Sequence, residues 1–428
     1  MQNRKLLFFI ILVTLFSVFS LVWYFFFTTP TPAPSLNQAE PTFIQRLIPR
    51  ANFIFGNQEP DPQNISTEVI PADKQALIEV WKNPSTGNGF FSREILIQQD
   101  VEQKTNGTTT IVRKTVRATT TILMFVDRIT GYVYGHSIET GETYQISNTT
   151  LPGVHNAYIF DGGNQVVMQY TDQNKTIISV LATIPNVQSG RDAQPLENTR
   201  FLPNNISSIA LSTDAKKISY VVPNTTGSSI YTLSTGNPSF VASSPFSEWV
   251  VSYGGNQLYA TTKASAYVEG FTVQLPSFSK IIGGTTGLIA SPSSDGSFIG
   301  SMWSQTGLQT FFLNTKDTTP KSLSMRTLSS KCVSRNPSFF FCAVPQSLPK
   351  AAEGLPDDWY QGRVLFADSL MLVNAKTGES FSFYTFDGAV GDMDMTNINL
   401  SVDSSLFSYI RKQNGSLWLL HANRILSE

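Results

Sequence analysis

Seven apolar residues, Ile122, Val166, Ile218, Leu258, Phe298, Phe339 and Leu406, each open a short run of strand type just after a turn, at spacings of 44, 52, 40, 40, 41 and 67 residues. The clearest copy spans residues 206–239. Ile209-Ala210-Leu211 leads through Ser212-Thr213-Asp214-Ala215 into Lys217-Ile218-Ser219-Tyr220-Val221-Val222. Ser229-Ile230-Tyr231-Thr232-Leu233 returns, and Thr235-Gly236-Asn237-Pro238 turns into a fourth run, Ser239-Phe240-Val241. Short alternating runs punctuated by Gly, Pro, Asn and Asp read as antiparallel strands. A period of about 40 to 45 residues with four strands in each is the pattern of propeller blades. Seven openings predict an all-β, seven-bladed β-propeller.

The turns support the same division. Asp161-Gly162-Gly163-Asn164, Tyr253-Gly254-Gly255-Asn256, Ser294-Asp295-Gly296 and Val402-Asp403-Ser404 precede four of the openings. Thr140-Gly141-Glu142, Thr235-Gly236-Asn237 and Thr377-Gly378-Glu379 fall between third and fourth strands, with the glycine 19, 18 and 39 residues beyond the opening. The third distance implies an insertion in the sixth blade, placed at residues 343–363 between its second and third strands. The seventh blade runs out of chain before its fourth strand, which would leave a sheet edge open. Two strand-like runs, residues 76–82 and 93–98, precede the first opening. One is expected to complete the last blade and the other to open the first.

Ahead of the repeats, residues 6–27 form an apolar run interrupted only by Thr14, Ser17, Ser20 and Tyr24, with Arg4 and Lys5 before it. Its length matches the ~20 residues of a membrane-crossing helix. The basic flank predicts a cytoplasmic N-terminus and an outward-facing remainder. A cleaved signal peptide is the competing reading; bulky Trp23 to Phe27, where small residues would be needed, favours an uncleaved signal anchor. Pro30, Pro32, Pro34 and Pro41 mark a linker. Residues 43–55 read either as a short amphipathic helix or as a loose lead-in. The expected organisation is an anchor at 1–27, a Pro-rich linker and lead-in at 28–74, and the propeller at 75–428.

With 30 basic and 31 acidic residues and a net charge of -1, no global field points to nucleic acid. Phe125-Val126-Asp127-Arg128-Ile129-Thr130-Gly131-Tyr132-Val133-Tyr134, Leu355-Pro356-Asp357-Asp358-Trp359-Tyr360-Gln361-Gly362 and the single N-terminal anchor together resemble a group of bacterial membrane-anchored, WD40-like propeller proteins of uncharacterised function, although the Trp-Asp dipeptide of WD40 repeats is absent. The resemblance covers about residues 75–425. It implies the fold and a location at the cell membrane, and assigns no site.

Cys332 and Cys342 are the only cysteines. A turn at Asn336-Pro337 would set them directly opposite each other on paired strands, within disulfide range. The alternative is two reduced, packed thiols. In the insertion, Asp357, Asp358, Trp359 and Tyr360 mix flat apolar area with acceptors, which suits a protein-binding surface; the other reading is that the aromatics fold back onto the ring. Asp387, Asp392 and Asp394, among glycines in the loop after the sixth blade, could hold Ca2+ through oxygen ligands or form a polar turn. No other cofactor is expected.

Catalysis has little support. His136, His155 and His421 fit no metal-binding pattern, no G-x-S-x-G occurs, and Pro349 interrupts the S-x-x-K run at Ser347. The leading expectation is a membrane-tethered, extracytoplasmic module that binds or scaffolds an envelope protein. An envelope hydrolase of glycan or peptide, using Asp357, Asp358 or Asp392 as acid and base, is the alternative from another class.

Overall fold

The computed structural model describes residues 76–422, except 106–107, 315–318, 337–338, 350–351, 375–378 and 387–391, and leaves the side chains of 95–112, 114–118 and 335–336 undescribed. The anchor, the linker and the lead-in at 43–55 all lie outside the described residues. Among those described, no helix is long and apolar enough to cross a membrane.

The first strand, β1 (Leu77–Trp81), belongs to the last blade. Blade one is β2 (Ser85–Thr105), β3 (Thr108–Asp127), β4 (Val133–Ser137) and β5 (Thr143–Gln145). Blade two is β6 (Asn156–Phe160), β7 (Gln165–Thr171), β8 (Ile177–Thr183) and β9 (Glu197–Phe201). Blade three is β10 (Ser208–Leu211), β11 (Ile218–Asn224), β12 (Gly227–Leu233) and β13 (Ser239–Ser244). Blade four is β14 (Trp249–Gly254), β15 (Gln257–Thr262), β16 (Glu269–Gln274) and β17 (Ser279–Thr286). Blade five is β18 (Ile289–Pro292), β19 (Phe298–Ser304), β20 (Gly307–Leu313) and β21 (Lys321–Ser322). Blade six is β22 (Cys332–Asn336), β23 (Phe339–Pro345), β24 (Asp368–Asn374) and β25 (Ser380–Tyr384). Blade seven is β26 (Met395–Leu400), β27 (Leu406–Arg411), β28 (Leu417–His421) and the returning β1.

All seven opening residues lie on second strands and are buried. Period-2 alternation gives each sheet two apolar faces, and the core forms where neighbouring blades meet. Ile122 and Met124 of β3 pack with Ile159, Val166 and Met168 of blade two. Leu123 and Phe125, on the opposite face of β3, pack with Leu406, Leu417 and Leu419 of blade seven. Polar pairs tie adjoining blades through the same interfaces. Gln169 donates to the Ile206 carbonyl oxygen at 3.2 Å, and Ser408 donates to Asn88 Oδ1 at 2.7 Å. Buried polar groups need such partners, and the repeat supplies them.

The ring closes as the sequence implies. Leu77 faces Leu420 and Ile78 faces Leu419, so the N-terminal run at 76–82 supplies the missing fourth strand of blade seven and the run at 93–98 lies in β2. Two boundaries differ from expectation. The insertion begins later than residue 343, because Ala343, Val344 and Pro345 still pair with Leu370, Ser369 and Asp368. Proline is tolerated there as the last residue of its strand. The hairpin of blade one also runs far past the blade. β2 and β3 stay paired to Thr105 and Thr108, yet β4 flanks β3 only over Ile122–Val126. About 12 residues of each strand therefore project as a two-stranded arm roughly 40 Å long.

Candidate functional site

First and third strands of every blade start on one face of the ring, here called the upper face. The turns between first and second strands lie on the lower face. Three strand starts bring charge together on the upper side of blades six and seven. Lys331 immediately precedes β22, Asp368 opens β24 and Asp394 immediately precedes β26. Lys331 Nζ lies 2.5 Å from Asp394 Oδ1 and 2.6 Å from Asp368 Oδ2, with all three side chains at most 1% exposed. Asp394 Oδ2 also accepts from Trp359 Nε1 at 2.8 Å and from the Phe366 amide at 3.1 Å, while Asp368 Oδ2 accepts from the Met395 amide at 2.8 Å.

One cation thus serves two carboxylates in a buried site. Burial pushes the Asp368 carboxyl up to about 6 against the pull of Lys331. Its Oδ1 has no hydrogen-bond partner, which fits a carboxyl whose charge is disfavoured.

The insertion supplies the lid of this cluster. Its short helix, α1 (Asp357–Tyr360), places Trp359 inward, stacked on Phe366 at 6.2 Å and 10°. Lys331 Nζ lies 5.2 Å from the Trp359 ring centre and Lys412 Nζ 3.7 Å from it. The indole thus has two ammonium groups near its ring, an arrangement its electron-rich face favours. Lys412 also donates to the Trp359 carbonyl oxygen, and burial lowers its pKa to about 8. Leu308, Leu328, Leu355, Val364 and Phe366 close around the ring.

The strap reaches across blade five to blade four. Asp357 Oδ2 accepts from the Ala266 amide at 2.6 Å. Glycines permit the crossing: Gly287, at φ +65°, has no room for a Cβ, which would stand 2.8 Å from the Leu355 carbonyl oxygen, and a Cβ on Gly354 would stand 2.8 Å from that of Ala266. Asp358 caps the turn before it, accepting from the Glu353 and Gly354 amides at 2.7 and 2.8 Å, with Arg363 at 3.3 Å from its other oxygen.

Of the four insertion residues marked for binding, Asp358 and Trp359 are buried in this framework, Asp357 is committed to a backbone amide, and Tyr360 is 50% exposed. Of the three aspartates marked for calcium, Asp387 lies outside the described residues, Asp392 is exposed, and Asp394 turns inward to Lys331 and Trp359. Among the described residues no group of three or more His, Cys, Asp or Glu could hold a metal ion. Cys332 and Cys342 form a disulfide across directly paired positions of β22 and β23.

Sequence reading passed over Lys331, Asp368 and Lys412. Their partners lie tens of residues away, and the only local signal is an isolated charge beside the start or end of an apolar strand. Around the buried cluster, the upper face exposes apolar side chains: Tyr267 at 70%, Val268 at 64%, Tyr360 at 50% and Leu365 at 46%.

No protein-family model matches the sequence, and no curated protein matches it. Solved structures resemble its fold. The β-propeller domain of Myceliophteria thermophila Cps50 (Swd1) is 9% identical, with a TM-score of 0.42 over 70% of this chain and 93% of that one. An oligogalacturonate lyase from Vibrio parahaemolyticus is 10% identical, with a TM-score of 0.42 over 79% of this chain and 98% of that one. The fold assignment itself rests on the seven sheets described above.

Proposed function

We propose that this protein is a membrane-tethered, extracytoplasmic scaffold whose upper face, built around the blade-six insertion, docks a protein of the cell envelope. The observation that carries the reading is the pinned strap. Tyr360 stands beside buried Trp359 on α1, and Tyr267 and Val268 follow Ala266, the residue that Asp357 ties to the same helix. Aromatic side chains held in place before binding lose little freedom on association, which is the character of an interface anchor. The membrane location draws on the apolar run at 6–27. The extracytoplasmic side draws on that run's basic flank and on the Cys332–Cys342 disulfide, which persists in oxidising compartments. Calcium is left without a role in this reading.

Photo-crosslinking from position 360 in intact membranes, with position 267 as a second site, tests it. The expected result is one recurrent protein adduct common to both positions and absent from a crosslinker placed on the lower face. Adducts that differ at random between the two positions, or none at full expression, would overturn the docking face. Position 359 is unsuitable, since its ring is enclosed.

A further inference from the structure

The lower mouth of the axial channel holds a cavity of about 250 Å³, walled by residues on or next to the first strands of blades three to seven. Its wall includes Ser212, Ser291, Ser293, Ser294 and Asn399 among apolar Leu211, Pro292, Val333, Phe340 and Leu400, and among the described residues no Asp, Glu, Lys, Arg or His. Four of the polar groups have a common direction. Ser212 Oγ donates to Asp214 Oδ1 at 2.7 Å, Ser291 Oγ donates to the Ser329 carbonyl oxygen at 2.8 Å, and Ser293 Oγ donates to Asp295. Asn399 Nδ2 donates to Asn88 Oδ1 at 2.8 Å and to the Asn88 carbonyl oxygen at 3.1 Å. Those protons are committed to the protein. The turn aspartates hold them firmly: the Ser212 hydroxyl, with the Lys216 amide and charge, outweighs desolvation and keeps the Asp214 carboxyl below the usual range.

What these four groups turn toward a guest is therefore oxygen lone pairs. An anion would meet acceptors from them and, among the described residues, no cation in the wall. A cation would be desolvated with no carboxylate lining the cavity to compensate it. The guest that fits is neutral, rich in O–H donors and apolar on its faces, and the volume, at the small end for ligand sites, admits about one ring. We propose that the lower channel mouth binds a single neutral sugar ring, its hydroxyls donating to Ser291, Ser293 and Asn399 and its C–H face resting on Pro292 and Leu400. This site is on the face opposite the docking surface and is independent of it.

Saturation-transfer NMR on the full chain, with the methyl glycosides of glucose, galactose, mannose and N-acetylglucosamine as probes and galacturonate and glucosamine as charged comparators, tests the site. At least one neutral probe should bind with a Kd of the order of 1 mM, and both charged sugars should bind about tenfold or more weakly. Ser294→Trp, which fills the mouth from its rim, should abolish the signal while leaving the far-ultraviolet circular dichroism unchanged. Ser294→Asp, which adds a carboxylate without bulk, should reverse the preference and admit glucosamine, so the proposal stays testable if the tryptophan variant does not fold. Failure of all four neutral probes, equal binding of the charged sugars, or a signal that survives the filled mouth in a folded variant would each overturn it.

Discussion

Replacing Lys331 with methionine isolates the electrostatics of the upper cluster, because the new side chain has similar length and no charge. In the wild-type protein the ammonium sits 2.5 and 2.6 Å from two carboxylates that are 0% exposed. Its removal leaves two buried negative groups whose remaining donors are Trp359 Nε1 and the amides of Phe366 and Met395. Breaking a buried ion pair by deleting one partner costs about 3 to 5 kcal/mol, so urea titration at pH 7 should show a loss of that order.

The sign of the pH effect follows from Asp368. Its folded pKa of about 6 exceeds its unfolded value, so the folded protein takes up more protons and gains stability as pH falls from 7 toward 4. Without Lys331 the carboxyl titrates higher still. The variant should then gain more than the wild type between pH 7 and pH 5, and its deficit should shrink by about 1 kcal/mol. A loss at pH 7 below about 1 kcal/mol, or a deficit that grows on acidification, would refute the account of one cation neutralising two buried carboxylates.

Trp359→Phe keeps an aromatic ring beside Lys331 and Lys412 but removes the Nε1–H that Asp394 accepts; a loss of about 1 to 3 kcal/mol by chemical denaturation is expected. Cys332 and Cys342 close a span of 10 residues, and for a loop that short reduction or the double serine variant should cost about 2 to 3 kcal/mol, read as a lower denaturation midpoint in dithiothreitol. His136 is pushed down to about 4 by burial, so it contributes stability that is fully present above pH 6.5 and is lost as pH falls toward 4. His136→Gln should remove that acid limb from the stability profile while leaving the opposite slope from Asp368, and an unchanged profile would show that His136 does not titrate as described.

The ring was legible because its information is local. Each blade writes its strands in period-2 alternation and its turns in Gly, Asn and Asp, and Cys332 and Cys342 lie close enough in one hairpin to meet, although the register shifts once between Val333 and Asn336 to set them opposite each other. The site was less legible because its information is not local. Trp359 and Asp358 carry the composition of a binding surface in sequence, yet a four-residue helix turns both inward, and only the exposure of Tyr360 remains. Asp394 sits in an acidic run, but a lysine 63 residues earlier determines its chemistry. The arm of blade one was missed for another reason: where pairing simply continues from Ser92 to Thr105, nothing in the alternation marks the point at which the third strand stops.

The meeting of β1 and β28 makes the order of translation matter. Leu77 finds Leu420, and Ala76 accepts the His421 amide at 2.7 Å, only after nearly the whole ring has been synthesised. Until then the last blade lacks its outer strand, and β1 waits with its pairing groups open. Once both are home, the ring of sheets is closed by pairing alone. A circular permutant that joins residue 422 to residue 76 through a short linker and opens between β13 and β14 would keep the same sheets, relocating the unmet edge to another stage of synthesis.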